Sequence, residues 1–256
     1  MLIVGNGRMI TRDVSCPFLE DGAVVMDKNK IIEVGQTEDI RKAYKEAEYI
    51  DAKKGVIMPA FINTHEHIYS AMARGLSIDG YDPKGFLDIL DGMWWTIDRN
   101  LSEEQILQSA RATYIDSIKN GVTTVFDHHA SFGSITDSLF IIEEAAEELG
   151  VRSCLCYEVS DRDGMDKAKE AVMENARFIQ HTLKDDTDMI AGMMGMHASF
   201  TISDETMELA AANKPEEVGY HIHVAEGIED LHDCLKKYGK RIVDRLMDCN
   251  ILGEKT

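Results

Sequence analysis

Along the first 58 residues, short apolar runs alternate with turn-forming residues: LIV before Gly5-Asn6-Gly7, then AVVMD and KIIEVG on either side of Lys28-Asn29-Lys30. Runs of that length between polar punctuation predict β-hairpins. A short helix around DIRKAYKEA interrupts them, and YIDAKKGVIMPAF predicts a strand pair leading to Pro59. Residues 1–58 read as a small β module and residues 59–256 as a second domain.

From Pro59 the period changes. Five apolar, β-rich runs alternate with helical stretches: VIMPAFINTHEH, VTTVFDHHA, RSCLCYEV, MIAGMMGMHA and GYHIHVAE. The helices have readable ends. Ser102-Glu103-Glu104-Gln105 is a capping box, Gly121 and Gly150 stand where C-terminal glycines belong, and Ser203-Asp204-Glu205 opens another helix. Strands buried on both faces and joined by crossover helices predict an α/β fold with a parallel sheet, either a (β/α)8 barrel or an open doubly wound sheet. Both carry functional residues at the C-terminal ends of their strands. A barrel needs eight units, and the residues from 59 onward hold five. Either the sheet is open, or the chain stops partway through a barrel.

Composition narrows the class. The chain has 256 residues, 44% of them apolar and 29% charged, with only four prolines, which fits a folded domain. A net charge of −19 argues against nucleic-acid binding, because a phosphate backbone would be repelled. The apolar start of MLIVGNGR is broken at once by glycine and asparagine, and no apolar run approaches membrane-spanning length. The five cysteines are an odd number without CxxC spacing. A soluble, cytoplasmic protein in a reducing compartment is expected, with no membrane partner.

Histidines carry the candidate chemistry. His65 and His67, two apart at the end of the first run, leave the same strand face, so two imidazoles converge on one point. They form either part of a divalent-metal site or a pair of partly buried, hydrogen-bonded histidines. On the fifth run, His221 and His223 share a face and Glu226 follows at the rim. His223 is the candidate third ligand, and Glu226 either moves protons at the substrate or merely precedes the next helix. His197 ends the fourth run on the same rim, as substrate contact or core histidine. Asp127, His128 and His129 end the second. Cys154 and Cys156 share a strand face and read as core, whereas His181 and His232 read as solvated. The long connection from Ser77 to Leu101 carries Tyr81, Phe86, Trp94 and Trp95, and predicts either a substrate wall or a surface aromatic cluster. HExxH, GxGxxG after a strand, GxxxxGK[ST], GxSxG and the HxE/PCxxC deaminase signature do not occur.

The ordered set VIMPAFINTHEH, GVTTVFDHH, MHASFTIS and HIHVAE resembles the amidohydrolase superfamily, in particular its ATZ/TRZ-like aminohydrolase and chlorohydrolase branch. Within that branch the whole chain is similar to SsnA-type aminohydrolases, which are linked to selenium metabolism. The resemblance implies a (β/α)8 barrel beside a β-sandwich, of which residues 1–58 would be the N-terminal part. It implies that His65, His67 and His223 bind one divalent metal ion, zinc first and iron as the alternative. Glu226 would protonate a ring nitrogen, and His197 would contact substrate, with Trp95 taken as a second substrate contact. The implied reaction is hydrolysis of a carbon–nitrogen bond other than a peptide bond: deamination of an amino-substituted nitrogen heterocycle by metal-bound hydroxide.

In that family a sixth-strand histidine and an eighth-strand aspartate complete the site, and ILGEKT ends before either. About five βα units are therefore expected, truncated before strand 6, and this piece alone is expected to be inactive, weak in metal affinity and prone to aggregate; a homodimer is expected at full length. Ala60 stands where a glycine is common. Three other readings stand beside the aminohydrolase: a chlorohydrolase variant, a non-catalytic fragment or pseudoenzyme that keeps the fold, and an open sheet using the three histidines to store or sense metal.

Overall fold

In the computed structural model, which describes residues Met1–Thr256, the chain divides into two compact units, Met1–Phe61 and Ile62–Thr256. The first is a β-sheet. Strand β1 (Leu2–Ile10) pairs antiparallel with β2 (Phe18–Asp27), which pairs antiparallel with β3 (Lys30–Gln36). After helix α1 (Thr37–Ala43), β4 (Glu48–Asp51) and β5 (Val56–Ile57) pair parallel with β1. Alternate residues of β1 are buried, and Ile3 packs with Ala23, Val25 and Ile40.

The β2–β3 turn falls at Lys28 and Asn29, but Gly5-Asn6-Gly7 is not a turn. It lies inside β1, where Asn6 takes φ 56° and the register with β2 shifts between Val4 and Gly7. The glycines allow close approach instead: a Cβ on Gly5 would meet the Ala23 Cβ at 2.9 Å, and one on Gly7 would meet Ile57 at 2.7 Å.

In the second unit, β6 (Phe61–Glu66), β7 (Val122–His129), β8 (Arg152–Tyr157) and β9 (Ile190–Gly192) lie in that order in one sheet, while β10 (Met194–Ala198) pairs parallel with β11 (Tyr220–His223). The crossovers are helical. The long connection after β6 holds α2 (Phe86–Ile89) and α3 (Trp95–Arg99), joined by a π turn over Leu90–Trp94, and then α4 (Glu103–Lys119). Next come α5 (Ser138–Leu149), α6 (Met165–Thr182) and α7 (Asp204–Asn213), and β11 is followed by α8 (Ile228–Tyr238) and α9 (Ile242–Asp248). Ile106, Leu139, Leu155, Phe178, Met194 and Leu246 belong to one buried cluster. No helix is long and apolar enough to cross a membrane.

Two features differ from the pattern in the sequence. The fourth apolar run is two strands, because β9 follows β8 while β10 leans on the chain beyond it: His197 N–H donates to the Val159 carbonyl at 2.9 Å. Gly195 permits this, since a Cβ there would come within 2.3 Å of the Tyr157 carbonyl oxygen. The connection holding the two tryptophans is helical over residues 86–99 rather than an open loop.

Candidate metal centre and active-site pocket

Strands β6 and β11 bring His65, His67 and His223 together across more than 150 residues of sequence. His223 Nε2 lies 3.3 Å from His65 Nε2 and 3.2 Å from His67 Nε2. What holds their far sides decides which atoms carry protons. His67 Nδ1 contacts the His128 carbonyl at 2.8 Å, and His223 Nδ1 contacts the His197 carbonyl at 3.1 Å. A carbonyl only accepts, so both Nδ1 atoms carry hydrogen and, in the neutral rings, both Nε2 atoms are bare. Facing lone pairs repel unless a cation lies between them. Two nitrogens on one tetrahedral ion with metal–nitrogen bonds of ordinary length sit about 3.3 Å apart, so the donor set fits a divalent ion such as zinc.

Burial supports the neutral form. Desolvation, then the neighbouring His67, His197 and His65, pulls the pKa of His223 down to about 2. Burial likewise takes His221 down to about 4 and His197 to about 3.

Beside the cluster is a cavity of about 180 Å³ whose lining includes His67, Tyr69, Trp94, Trp95, Glu158, His197, His223 and Glu226. His197 is buried, its Nδ1 is 2.7 Å from Thr201 Oγ1, and its ring meets Trp95 edge-on at 6.2 Å. Glu226 lies on the loop before α8. Burial raises its pKa, the nearby His67 opposes this, and Glu158 adds to it. Asp230 steadies the same loop, accepting from the backbone N–H of Ala225 and of Phe200, at 3.1 Å each.

The end of β7 is buried beneath the cluster. Asp127 Oδ1 accepts from Ile68 N–H at 2.8 Å and so pins the chain just after His67. The His128 ring is fully buried, 4.4 Å from that of His223, and neither of its nitrogens has a hydrogen-bond partner. His129 Nε2 contacts Ser131 Oγ at 2.9 Å. Cys156 is buried while Cys154 is only partly so, and His181 and His232 are exposed, His181 bonding Glu143 at 2.9 Å.

The sequence reading missed Glu158. It follows β8 on the same rim, buried in the cavity wall, 3.6 Å from Arg162 Nη2, which bonds Asp98 Oδ2 at 2.6 Å. Its place at the end of the third apolar run was the available signal.

Comparison with known proteins decides the family. A profile described as the amidohydrolase family matches residues 56–256. The chain belongs to the amidohydrolase family. This amidohydrolase chain is 30% identical over 258 residues to a 5'-deoxyadenosine deaminase of Methanosarcina barkeri, covering 98% of this chain and 55% of that protein. It is 27% identical over 260 residues to a 5-methylthioadenosine/S-adenosylhomocysteine deaminase of Pyrococcus horikoshii, covering 100% and 57%. The chain thus spans about half the length of the curated relatives it matches. Among solved structures, atrazine chlorohydrolase TrzN from Arthrobacter aurescens TC1, complexed with zinc, matches with TM-score 0.80 at 22% identity, over 100% of this chain and 59% of that one. Escherichia coli guanine deaminase matches with TM-score 0.78 at 18% identity, over 100% and 61%. These likenesses bear out the family and the partial-barrel α/β fold that the motifs implied.

Proposed function

We propose that this chain carries the metal-binding half of an aminohydrolase, which removes an amino group from a nitrogen heterocycle by hydrolysing a carbon–nitrogen bond. The observation that carries the reading is the convergence of His65, His67 and His223 Nε2 beside a cavity that also holds Glu226. The three histidines hold one divalent ion, zinc first and iron as the alternative. Such an ion supplies Lewis acidity and brings the pKa of a water to about 7.

The chain's own residues do the rest. Trp95 stacks against a planar ring and His197 hydrogen-bonds it. Glu226, kept protonated to higher pH by burial, donates to a ring nitrogen and makes the exocyclic amine a better leaving group. The deaminase names of two relatives support this substrate class. Residues 1–58 as the start of a β-sandwich and residues 59–256 as the hydrolase barrel belong to the same proposal. So do an SsnA-type role in selenium metabolism, a cytoplasmic location and a homodimer at full length, which rest on the sequence alone.

The test is ammonia release from a panel of aminopurines, aminopyrimidines and aminotriazines by zinc-loaded full-length protein. Release from at least one compound supports the reading. Chloride release from chlorotriazines without any ammonia would replace it with a chlorohydrolase.

A further inference from the structure

We propose that His221 and Cys156 form a hydrogen-bonded relay that fixes the tautomer of His65, and so sets how tightly the three-histidine cluster holds its cation. The proposal rests on reading His65, His67 and His223 as the ligands of that cation.

His67 and His223 each give Nδ1–H to a backbone carbonyl, an acceptor that allows only one direction. His65 is held differently: its Nδ1 meets His221 Nε2 at 3.0 Å, and one imidazole can either donate to another or accept from it. The direction is settled further along. His221 Nδ1 lies 3.6 Å from Cys156 Sγ, and Cys156 Sγ lies 3.3 Å from the Asp127 carbonyl. The thiol proton goes to that carbonyl, which leaves sulfur as an acceptor. His221 Nδ1–H then donates to sulfur, His221 Nε2 is bare, and His65 Nδ1–H donates to it. His65 Nε2 is therefore left bare, and this is the atom 3.3 Å from His223 Nε2.

Reversing the chain would put a proton on His65 Nε2, pointing at the place a cation must occupy. Cys156, buried and free of any disulfide, thus selects the binding-competent tautomer at one remove through His221. Both are positioning residues. Partners of this kind orient ligating histidines, and their loss costs about 10- to 100-fold in metal affinity.

The experiment measures zinc and cobalt affinity of the full-length protein by competition with a chromophoric chelator, alongside the thermal midpoint of the metal-free form. His221→Leu is expected to bind about 10- to 100-fold more weakly. His221→Gln, whose amide oxygen can accept from His65 and whose amide N–H can reach Cys156, is expected to recover most of that loss. Cys156→Val, which removes the acceptor and fills the space, should weaken binding less than His221→Leu. Cobalt-loaded wild type should show no thiolate-to-cobalt charge-transfer absorption. Wild-type affinity in His221→Leu would overturn the relay, and so would a glutamine variant as weak as the leucine one. A thiolate band lost in Cys156→Val would make Cys156 a ligand and also overturn it. If the leucine variant does not fold, the glutamine and Cys156→Val affinities decide: wild-type binding by Cys156→Val, or a 10-fold loss in His221→Gln, overturns the relay. Failure of the wild type itself to bind either ion would remove the three-histidine reading and the relay together.

Discussion

His67 Nε2 and His223 Nε2 face each other at 3.2 Å although the residues are 156 positions apart in the chain. Their Nδ1 atoms are fixed on the carbonyls of His128 and His197, so these two rings are oriented by backbone on their outer side. The arrangement depends on β7 and β10 holding those carbonyls in place, and the predictions below follow from it.

Asp127 should matter as a backbone anchor. It is fully buried and accepts from the Ile68 N–H, next to His67. Asp127→Ala leaves that N–H without its acceptor and should cost about 1–3 kcal/mol, read from the urea midpoint, with weaker zinc binding. Asp127→Asn keeps an acceptor oxygen and should lie nearer wild type. Equal loss in both variants would point to charge rather than anchoring.

Glu226 should shape the pH–rate profile of the full-length enzyme. Burial raises its pKa, so the proton it donates persists to higher pH than on an ordinary glutamate. Turnover should fall as pH rises through that raised value. Glu226→Gln should keep metal, lose about 10²- to 10⁴-fold in kcat, and show no such descending limb. An unchanged limb in the glutamine variant would assign it elsewhere.

Acid should unfold the metal-free chain through its buried histidines. Burial takes the pKa values of His129 and His197 down to about 3, from 6.5 for an ordinary histidine. Between those values the unfolded state binds more protons, so stability falls as pH drops from about 6.5 towards about 3. Each such histidine contributes a slope of about 1.4 kcal/mol per pH unit. Urea midpoints measured across this window should show the fall, and His129→Gln should make it shallower by one proton. A flat profile would mean these rings are not buried neutral.

Ser102 should stabilise α4 through its cap. Its side chain accepts from Gln105 N–H, while the Gln105 side chain accepts from Ser102 N–H. Ser102→Ala should cost about 1 kcal/mol in thermal or urea unfolding, without changing zinc affinity. A loss of zinc binding would show that α4, which packs on the turn Ile68–Ala73 just after His67, also positions the site.

That cap was legible because it is local: four consecutive residues specify it. The same holds for Gly150, which takes a left-handed φ of 70° at the end of α5, and for the strand-end histidines, whose shared face follows from period two. What the sequence hid depends on pairing. Gly5-Asn6-Gly7 carries turn chemistry, but its meaning comes from Ala23 and Ile57 pressing on it. The break between β9 and β10 answers to Tyr157 and to the different neighbours of the two halves. Glu158 and Cys156 acquire roles only through His128 and His221, which lie elsewhere in the sequence.

Equilibrium dialysis against zinc, read by elemental analysis, tests the central claim most directly. At saturating zinc the full-length wild-type protein should retain one ion, and His223→Ala should retain essentially none while keeping its far-UV circular dichroism. A folded His223→Ala chain that still held one ion at wild-type affinity would contradict the account.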